Sequence, residues 1–162
     1  MLFVGCASRA GRTTAIVETQ LQLDILPQPD ATPCGPTCLH AVYRFFGDHV
    51  SLAQVVSEVP TLDTGGTLAV FLACHALKRG YRARIYTYNL QVFDPTWFDG
   101  LDRDEMRRRL VAQLRYKYGG REEVEIKAFS TFLDLGGEVR CHALTRSIIR
   151  RYLNRAIPIL TG

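Results

Sequence analysis

The sequence predicts one α+β domain in which helices and strands mix along the chain. Three observations support this fold class. The chain has 162 residues, the size of a single ordinary domain. Hydrophobic residues make up 47% and charged residues 22% of the sequence, which is typical of a globular protein and excludes a disordered or fibrous one. Apolar residues recur with the strand period in some segments and with the helix period in others, and glycines separate these segments.

Strands are predicted where apolar and polar side chains alternate or where a short apolar run stands alone. The alternation over residues 21–25 predicts a first strand. Similar patterns predict strands over residues 81–88 and 138–144. The apolar residues 156–162 predict a last, buried strand.

Helices are predicted where an apolar stripe at helical spacing lies between a capping residue and a glycine. The clearest starts are the Ser51–Gln54 and Asp102–Glu105 pairs, which have capping-box spacing. Gly47 and Gly80 end two of the helices. The predicted helices cover residues 34–46, 51–59, 68–79, 102–118, 123–135 and 145–155.

Net charge, hydropathy and cysteine content exclude several classes of function. The net charge of +4 is mild and dispersed, so nucleic acid is not an expected partner. No apolar run approaches 18 residues, so no membrane-spanning helix is predicted. The five cysteines are an odd number and do not indicate a closed disulfide framework. Their spacing, including the Cys-His pairs at 74–75 and 141–142, lacks metal-knuckle geometry, so neither a metal nor a cofactor is predicted.

The N-terminus resembles the end of a bacterial lipoprotein signal peptide, in which a cysteine after a small residue becomes lipidated. Gly5 and Cys6 follow an apolar start and precede polar residues, although a basic region and a full apolar region are missing. Residues 1–20 are therefore interpreted as a tether or signal remnant, and residues 21–162 as the folded domain. Lipid on Cys6 would attach the protein to the bacterial cell envelope, in the periplasm or on the outer membrane. Without it, the expected location is cytoplasmic.

Cys34 is the best candidate for a reactive group. It lies where a loop becomes a helix, and the free N–H groups and dipole of a helix N-terminus stabilise a thiolate. Gly35 has no side chain, which would let a substrate carbonyl approach the backbone. Pro36 suits a first helical turn. An oxyanion hole needs a second donor beside the Cys34 N–H, and the Gln28 amide is a plausible one.

The stretch from Gln28 to Leu39 has the pattern Gln-x5-Cys-Gly-x-x-Cys-Leu, and an aromatic helix end with Gly47-Asp48 follows it. This pattern resembles the bacteriocin-processing (double-glycine leader) cysteine peptidases, which are papain-like enzymes. The resemblance implies that Cys34 is the nucleophile and Gln28 the oxyanion-hole side chain. It also implies a papain-like fold, with an N-terminal helical part and part of an antiparallel sheet.

The resemblance places the family's general base outside this sequence. In the family the catalytic His opens the strand after an Ile-Pro-type strand, and an Asp or Asn follows it, so both would lie beyond Gly162. The domain is therefore expected to be incomplete at its C-terminus. Among the four histidines, His142 in a predicted strand is the best internal substitute. Cys38 lies one turn below Cys34 on the apolar stripe and is expected to pack in the core.

These observations lead to one functional expectation and one alternative. The expected activity is that of a cysteine peptidase, in which the Cys34 thiolate attacks a peptide bond and forms an acyl-enzyme. Its partner would be a peptide or protein substrate. The alternative is a catalytically inactive papain-like module, or a lipoprotein, that binds peptide but lacks the general-base His.

Overall fold

The computed structural model describes residues 21–27, residues 34–161 and the backbone of residues 2–6. Within these ranges the protein is an α+β domain. Six helices are present, and a short 3-10 helix at Pro95–Phe98 precedes the fourth of them. The helices are α1 Cys34–Phe45, α2 Leu52–Glu58, α3 Ala69–Lys78, α4 Arg103–Gln113, α5 Arg121–Asp134 and α6 Arg146–Leu153. The strands are β1 Leu2–Cys6, β2 Tyr81–Tyr86, β3 Glu138–Arg140 and β4 Ile159–Leu160.

The four described strands form one sheet in the order β3-β2-β1-β4. β1 is antiparallel to both of its neighbours, with Leu2 opposite Ile85 of β2 and opposite Leu160 of β4. β2 and β3 are parallel. Parallel neighbours need a long crossover, and here the 3-10 helix, α4 and α5 supply it. The sheet is therefore mixed, which corrects the expectation that the strands belong to an antiparallel sheet.

The interpretation of the N-terminus as a tether is wrong for residues 2–6, while the signal-remnant interpretation stays a prediction. They are a strand that pairs on both sides, and they are not a tether. The sequence of this strand, Leu-Phe-Val-Gly-Cys, is a continuous apolar run. Such a run is typical of a central strand and equally of the apolar part of a signal peptide, so the pattern alone could not separate the two. Residues 7–20, the rest of the expected tether, lie outside the described residues.

The strand predicted over residues 21–25 is also wrong. Residues 21–27 have no regular secondary structure, and none of them is buried. Ile25 is 60% exposed. Alternation predicts a strand only where one face can be buried, and this segment has no described strand beside it.

The six helices and the other strands lie where the sequence predicts them. The capping residues act as expected: the Ser51 and Asp102 side chains accept hydrogen bonds from the Gln54 and Glu105 N–H groups. Boundaries differ by a few residues, and the largest difference is at α4, which ends at Gln113 and not near 118. Gly80 ends α3 with a φ of 81°, a conformation that glycine adopts without strain.

The main core forms around α3. This helix packs against α1, α5, β1 and β2. Six of its ten residues are buried, namely Val70, Leu72, Ala73, Cys74, His75 and Ala76. α1 faces it with Leu39, Val42 and Tyr43, which are fully buried. The N-terminal end of α1, where Cys34 lies, is thereby held beside the start of α3.

The turn between α5 and β3 requires a glycine because a side chain at this position would not fit. A Cβ built on Gly137 would overlap the ring of Phe132, which is fully buried. We expect Gly137→Ala to lower the free energy of unfolding by about 1–3 kcal/mol, because the ring cannot move without disturbing the core. Urea denaturation measures this. Gly120→Ala is the control, since its Cβ would meet only the end of the Glu122 side chain at 3.2 Å. An equal loss in both variants would contradict the packing argument.

Candidate active site

Cys34 is the first residue of α1 and is exposed to solvent. It therefore lies at the end of a 12-residue helix whose first N–H groups have no partner within the helix. Pro36, in the same turn, has no N–H to leave unpaired. An exposed thiol at this position can meet a substrate, and the helix dipole favours its negative charge. Gln28, the predicted oxyanion-hole side chain, lies outside the described residues.

Gly35 has a different role from the one that the sequence suggests. A Cβ at this position would lie 3.3 Å from both the Leu72 and the Thr67 side chains. The missing side chain thus faces protein, where it allows the first turn of α1 to approach α3 closely. The structure gives a packing reason for this glycine in place of the expected opening for a substrate carbonyl.

The other described cysteines are less accessible than Cys34. Cys38 is half-buried, which agrees with its expected packing role. Burial raises the pKa of the Cys38 thiol, and the nearby Cys34 raises it further. Cys74 is buried in α3, and burial raises the pKa of its thiol to about 11. Of these three cysteines, Cys34 is the one that is exposed to solvent.

A hydrogen-bond chain, buried at Tyr43 and His75 and open to solvent at Glu58, joins α1, α2 and α3. The Tyr43 hydroxyl and His75 Nδ1 are 2.7 Å apart, and His75 Nε2 lies 2.9 Å from a Glu58 carboxylate oxygen. A carboxylate only accepts, so Nε2–H donates to Glu58. In the tautomer with its proton on Nε2, Nδ1 accepts from the Tyr43 hydroxyl. His75 is 6% exposed and Tyr43 is fully buried. Hydrogen bonds in so apolar a setting set the positions of three helices relative to one another.

An ion pair continues this network to the end of α1 and to β2. Arg79 donates hydrogen bonds to both carboxylate oxygens of Asp48 at 2.8 Å, and the Tyr81 hydroxyl donates to the same carboxylate at 3.2 Å. The Arg79 guanidinium also lies 5.3 Å from the centre of the Tyr43 ring. Asp48 follows the turn that ends α1, so this cluster fixes the end of the helix opposite to Cys34.

None of the histidines in the described part of the chain forms a hydrogen bond with Cys34. His40 is buried, and its Nε2 lies 3.1 Å from the Val50 carbonyl oxygen, to which it donates. His75 is held by Tyr43 and Glu58. His49 is exposed beyond α1, and His142 is exposed with its Nδ1 2.8 Å from the Ala143 oxygen. His142, the best internal candidate for a general base, has no hydrogen bond to Cys34 in the described part of the chain.

The described residues contain neither a candidate metal site nor a candidate membrane-spanning helix. No group of three or more His, Cys, Asp or Glu side chains among them could bind a metal ion. None of their helices combines the length and the apolar character that crossing a bilayer requires. Cys6 lies at the end of β1, opposite Tyr81.

Comparison of the chain with protein-family models, curated proteins and solved structures found no match.

Sequence reasoning placed Cys34 at the start of a helix and Cys38 one turn further on, but it missed the network that holds this helix. Tyr43, His75 and Glu58 are separated by tens of residues, and each looks ordinary in its own segment. A usable signal did exist, because His75 interrupts the apolar face of α3 and a buried imidazole needs partners. The identity of those partners depends on tertiary packing, which the sequence pattern does not contain.

The Tyr43–His75 hydrogen bond can be tested by removing one oxygen atom. We expect Tyr43→Phe to lower the free energy of unfolding by about 1–3 kcal/mol, because His75 Nδ1 would remain buried without a donor. Tyr116→Phe removes the same atom from a side chain that is 87% exposed, and it should have no measurable effect. Urea denaturation of both variants supplies the comparison. A neutral Tyr43→Phe would show that water or another group replaces the hydroxyl.

Asp48 should make stability depend on pH in the acid range. Burial alone would raise the pKa of this carboxyl, but the hydrogen bonds and charge of Arg79, with Tyr81, outweigh burial and lower it. A lowered pKa in the folded state means that the stabilisation is complete above the ordinary value, about 3.9, and is lost as the pH falls through the folded value. We expect the urea concentration at the unfolding midpoint to decrease when the pH is lowered below about 4.

The matched variants for this prediction are Asp48→Asn and Asp99→Asn. Asp48→Asn should be less stable at neutral pH and should lose less on acidification, because it has no charge to lose. Asp99→Asn changes an exposed carboxyl and should keep the acid profile of the unchanged protein. Parallel profiles for Asp48→Asn and the unchanged protein would refute the assignment.

Proposed function

We propose that this chain is part of a cysteine peptidase of the bacteriocin-processing, papain-like type, with Cys34 as its nucleophile. The observation that carries the proposal is the exposed Cys34 thiol at the N-terminus of α1. The Gln-x5-Cys-Gly-x-x-Cys-Leu pattern around it supports the same assignment. The half-buried Cys38 and the buried Cys74 support it by contrast, since neither thiol is as open to a substrate.

The proposed reaction divides peptide hydrolysis into two steps. The Cys34 thiolate attacks the peptide carbonyl carbon, an S–C bond forms, and the C–N bond breaks as the amine takes a proton from a histidine. Water then attacks the acyl-enzyme and regenerates the thiol. The Cys34 N–H and the Gln28 amide are proposed to stabilise the oxyanion. The resemblance assigns the histidine to a position beyond Gly162.

The α1–α3 packing is what would keep this nucleophile in place. Gly35 lets the first turn of α1 contact Leu72 and Thr67 at the start of α3. At the other end of α1, the Asp48–Arg79 pair holds the turn that follows the helix. A helix fixed at both ends presents its first residue in one position, which favours attack on a bound carbonyl.

A peptide-binding module without peptidase activity is the second candidate. The observation that favours it is that His40 and His75 both form structural hydrogen bonds, His40 to the Val50 carbonyl oxygen and His75 to Tyr43 and Glu58. In that case Cys34 would line a binding cleft and form no acyl-enzyme.

Attachment through a lipid on Cys6 is incompatible with strand β1. Lipidation of an N-terminal cysteine requires removal of the residues before it, and Leu2, Phe3, Val4 and Gly5 form most of β1. A chain lipidated at Cys6 could not keep β1 as described here. Membrane attachment is therefore a proposal from the sequence alone, and the β1 pairing argues for the uncut chain.

Covalent trapping tests the peptidase proposal. A peptidyl acyloxymethyl ketone alkylates activated thiols, and we expect it to label Cys34 of the full protein from its native host, as located by mass spectrometry. Cys34→Ala should abolish the labelling and lower peptide cleavage by about a thousandfold or more. Cys38→Ala, one helical turn away, should retain labelling within about twofold. Unchanged cleavage by Cys34→Ala would overturn the proposal.

The same experiment separates the two candidate functions. A peptidase gives a transient mass increase on Cys34 equal to the acyl part of the substrate. A binding module gives peptide affinity that is equal in the unchanged protein and in Cys34→Ala, with no acyl-enzyme.

A further inference from the structure

α6 lies on the face of the sheet that is turned away from the main core. Ala83 and Ile85 of β2 belong to the main core, whereas Tyr86 packs with Tyr152 of α6 in a separate small cluster. Successive side chains of a strand point to opposite faces of the sheet. Arg82, which is exposed, therefore lies on the same face as Tyr86 and α6.

Five exposed arginines on this face form one basic surface, which we call the arginine face. They are Arg82 of β2, Arg146, Arg150 and Arg151 of α6, and Arg155 just after this helix. Within the described ranges none of them forms an ion pair. Residues 139–162 contain no Asp or Glu. The positive charges of α6 are therefore not neutralised by its own segment of the chain.

The arginine face accounts for the net positive charge of the protein. Of the 20 Lys and Arg residues, five belong to it, which leaves 15 against 16 Asp and Glu in the rest of the chain. The positive charge is thus concentrated on one face, and it is not dispersed as the sequence suggests. The sequence pattern does not show this, because Arg82 joins α6 only through the fold of the sheet.

The acidic residue Glu138 lies beside the arginine face, where its charge is already offset. Its carboxylate accepts hydrogen bonds from Arg84 and lies 3.5 Å from Arg140. Asp102 and Asp104 line a cavity together with Arg140, so that edge of the sheet carries mixed charge and is not part of the arginine face. The five arginines named above remain without a compensating carboxylate.

Helix stability does not account for this arrangement of charge. Arg150 and Arg151 lie in the last turn of α6, where the helix dipole favours cations. Arg146, however, is the first residue of the helix, where the dipole disfavours a positive charge. Arg146 and Arg150 are four residues apart, as are Arg151 and Arg155, and like charges at this spacing repel each other. An external anion would relieve this repulsion.

The shape and the apolar neighbours of the arginine face favour a lipid surface over a single small anion. Arg150 and Arg151 point in directions about 100° apart around the helix, so their guanidinium groups do not converge on one point. Ile149 and Leu153 are half-buried in a row beside Arg146, and Leu144 just before the helix is 40% exposed. A membrane interface offers phosphates to guanidinium groups and a shallow apolar layer to such side chains.

We propose that the arginine face binds the surface of a membrane that contains anionic phospholipids. The guanidinium groups pair with lipid phosphates, and Leu144 and Leu153 contact the layer beneath the headgroups. Ile148 and Tyr152 stay packed on the sheet, so α6 lies on the membrane without leaving the domain. This contact requires no lipid on Cys6. It is also independent of the proposed peptidase chemistry, because no residue of α1 belongs to the arginine face.

Binding to lipid vesicles tests this surface on the full protein, produced without a lipid on Cys6. The anionic vesicles contain phosphatidylcholine and phosphatidylglycerol in a ratio of about two to one, and the neutral vesicles contain phosphatidylcholine alone. We expect partition onto the anionic vesicles to be about tenfold stronger or more at low salt, as measured by co-sedimentation. In about 1 M salt, where the Debye length falls to about 3 Å, this preference should disappear.

Two double variants that remove equal charge locate the contact. Arg146→Gln with Arg150→Gln should weaken binding to the anionic vesicles about 25-fold, since each arginine near a membrane contributes about fivefold. Arg103→Gln with Arg115→Gln removes two arginines at and just after α4, and it should change the binding by less than about threefold. All four side chains are exposed, so both variants should fold, which circular dichroism checks. The vesicle comparison with the unchanged protein does not depend on either variant.

Three outcomes would overturn the proposal. The first is equal partition onto the anionic and the neutral vesicles. The second is equal weakening in the two double variants, which would make the net charge responsible. The third is tighter binding to a DNA duplex or to polyglutamate than to anionic vesicles at the same concentration of negative charge, which would assign the face to a nucleic acid or an acidic protein. Cys34→Ala should bind vesicles as the unchanged protein does, so failure of the peptidase proposal leaves this one standing.

Discussion

The burial of α3 on several sides is the constraint on which the rest of the structure depends. Two helices and two strands pack around these ten residues. A helix in this position has to be apolar over most of its surface, and every polar group on it needs a partner inside the protein. His75 meets that requirement through Tyr43 and Glu58, which also ties α1 and α2 to the helix. The position of Cys34 follows from this packing, because α1 rests on the start of α3.

The sequence predicts well those features that depend on neighbouring residues. Caps at Ser51 and Asp102 and a stop at Gly80 are local signals, and each lies within a residue or two of the observed boundary. The position of Cys34 at the start of α1 was predictable for the same reason, since the cysteine and a proline suited to a first helical turn are close together in the chain. The α+β class follows from these elements. A papain-like arrangement of them remains a proposal.

Features that depend on distant residues could not be predicted. The strand at Leu2–Cys6 and the irregular residues 21–27 differ in whether other strands lie beside them. The apolar run at residues 2–6 fits a strand and a signal peptide equally, and the alternation at residues 21–25 indicates a strand that does not form. Gly35 allows close packing against the side chain of Leu72, which is 37 positions away in the sequence. The partners of His75 belong to two other helices. In each case the local pattern is compatible with several structures, and packing selects one.

The pairing of β1 with β4 has a consequence for how the chain folds as it is made. Leu2 and Leu160 are opposite each other in the sheet although they lie far apart in the chain. β1 can pair with β2 soon after Tyr81–Tyr86 has been synthesised, but its other edge stays open until β4 has been synthesised as well. During that interval an apolar strand edge is exposed to other nascent chains. Slow synthesis of the residues between β2 and β4 would therefore increase the demand for chaperones that cover such edges.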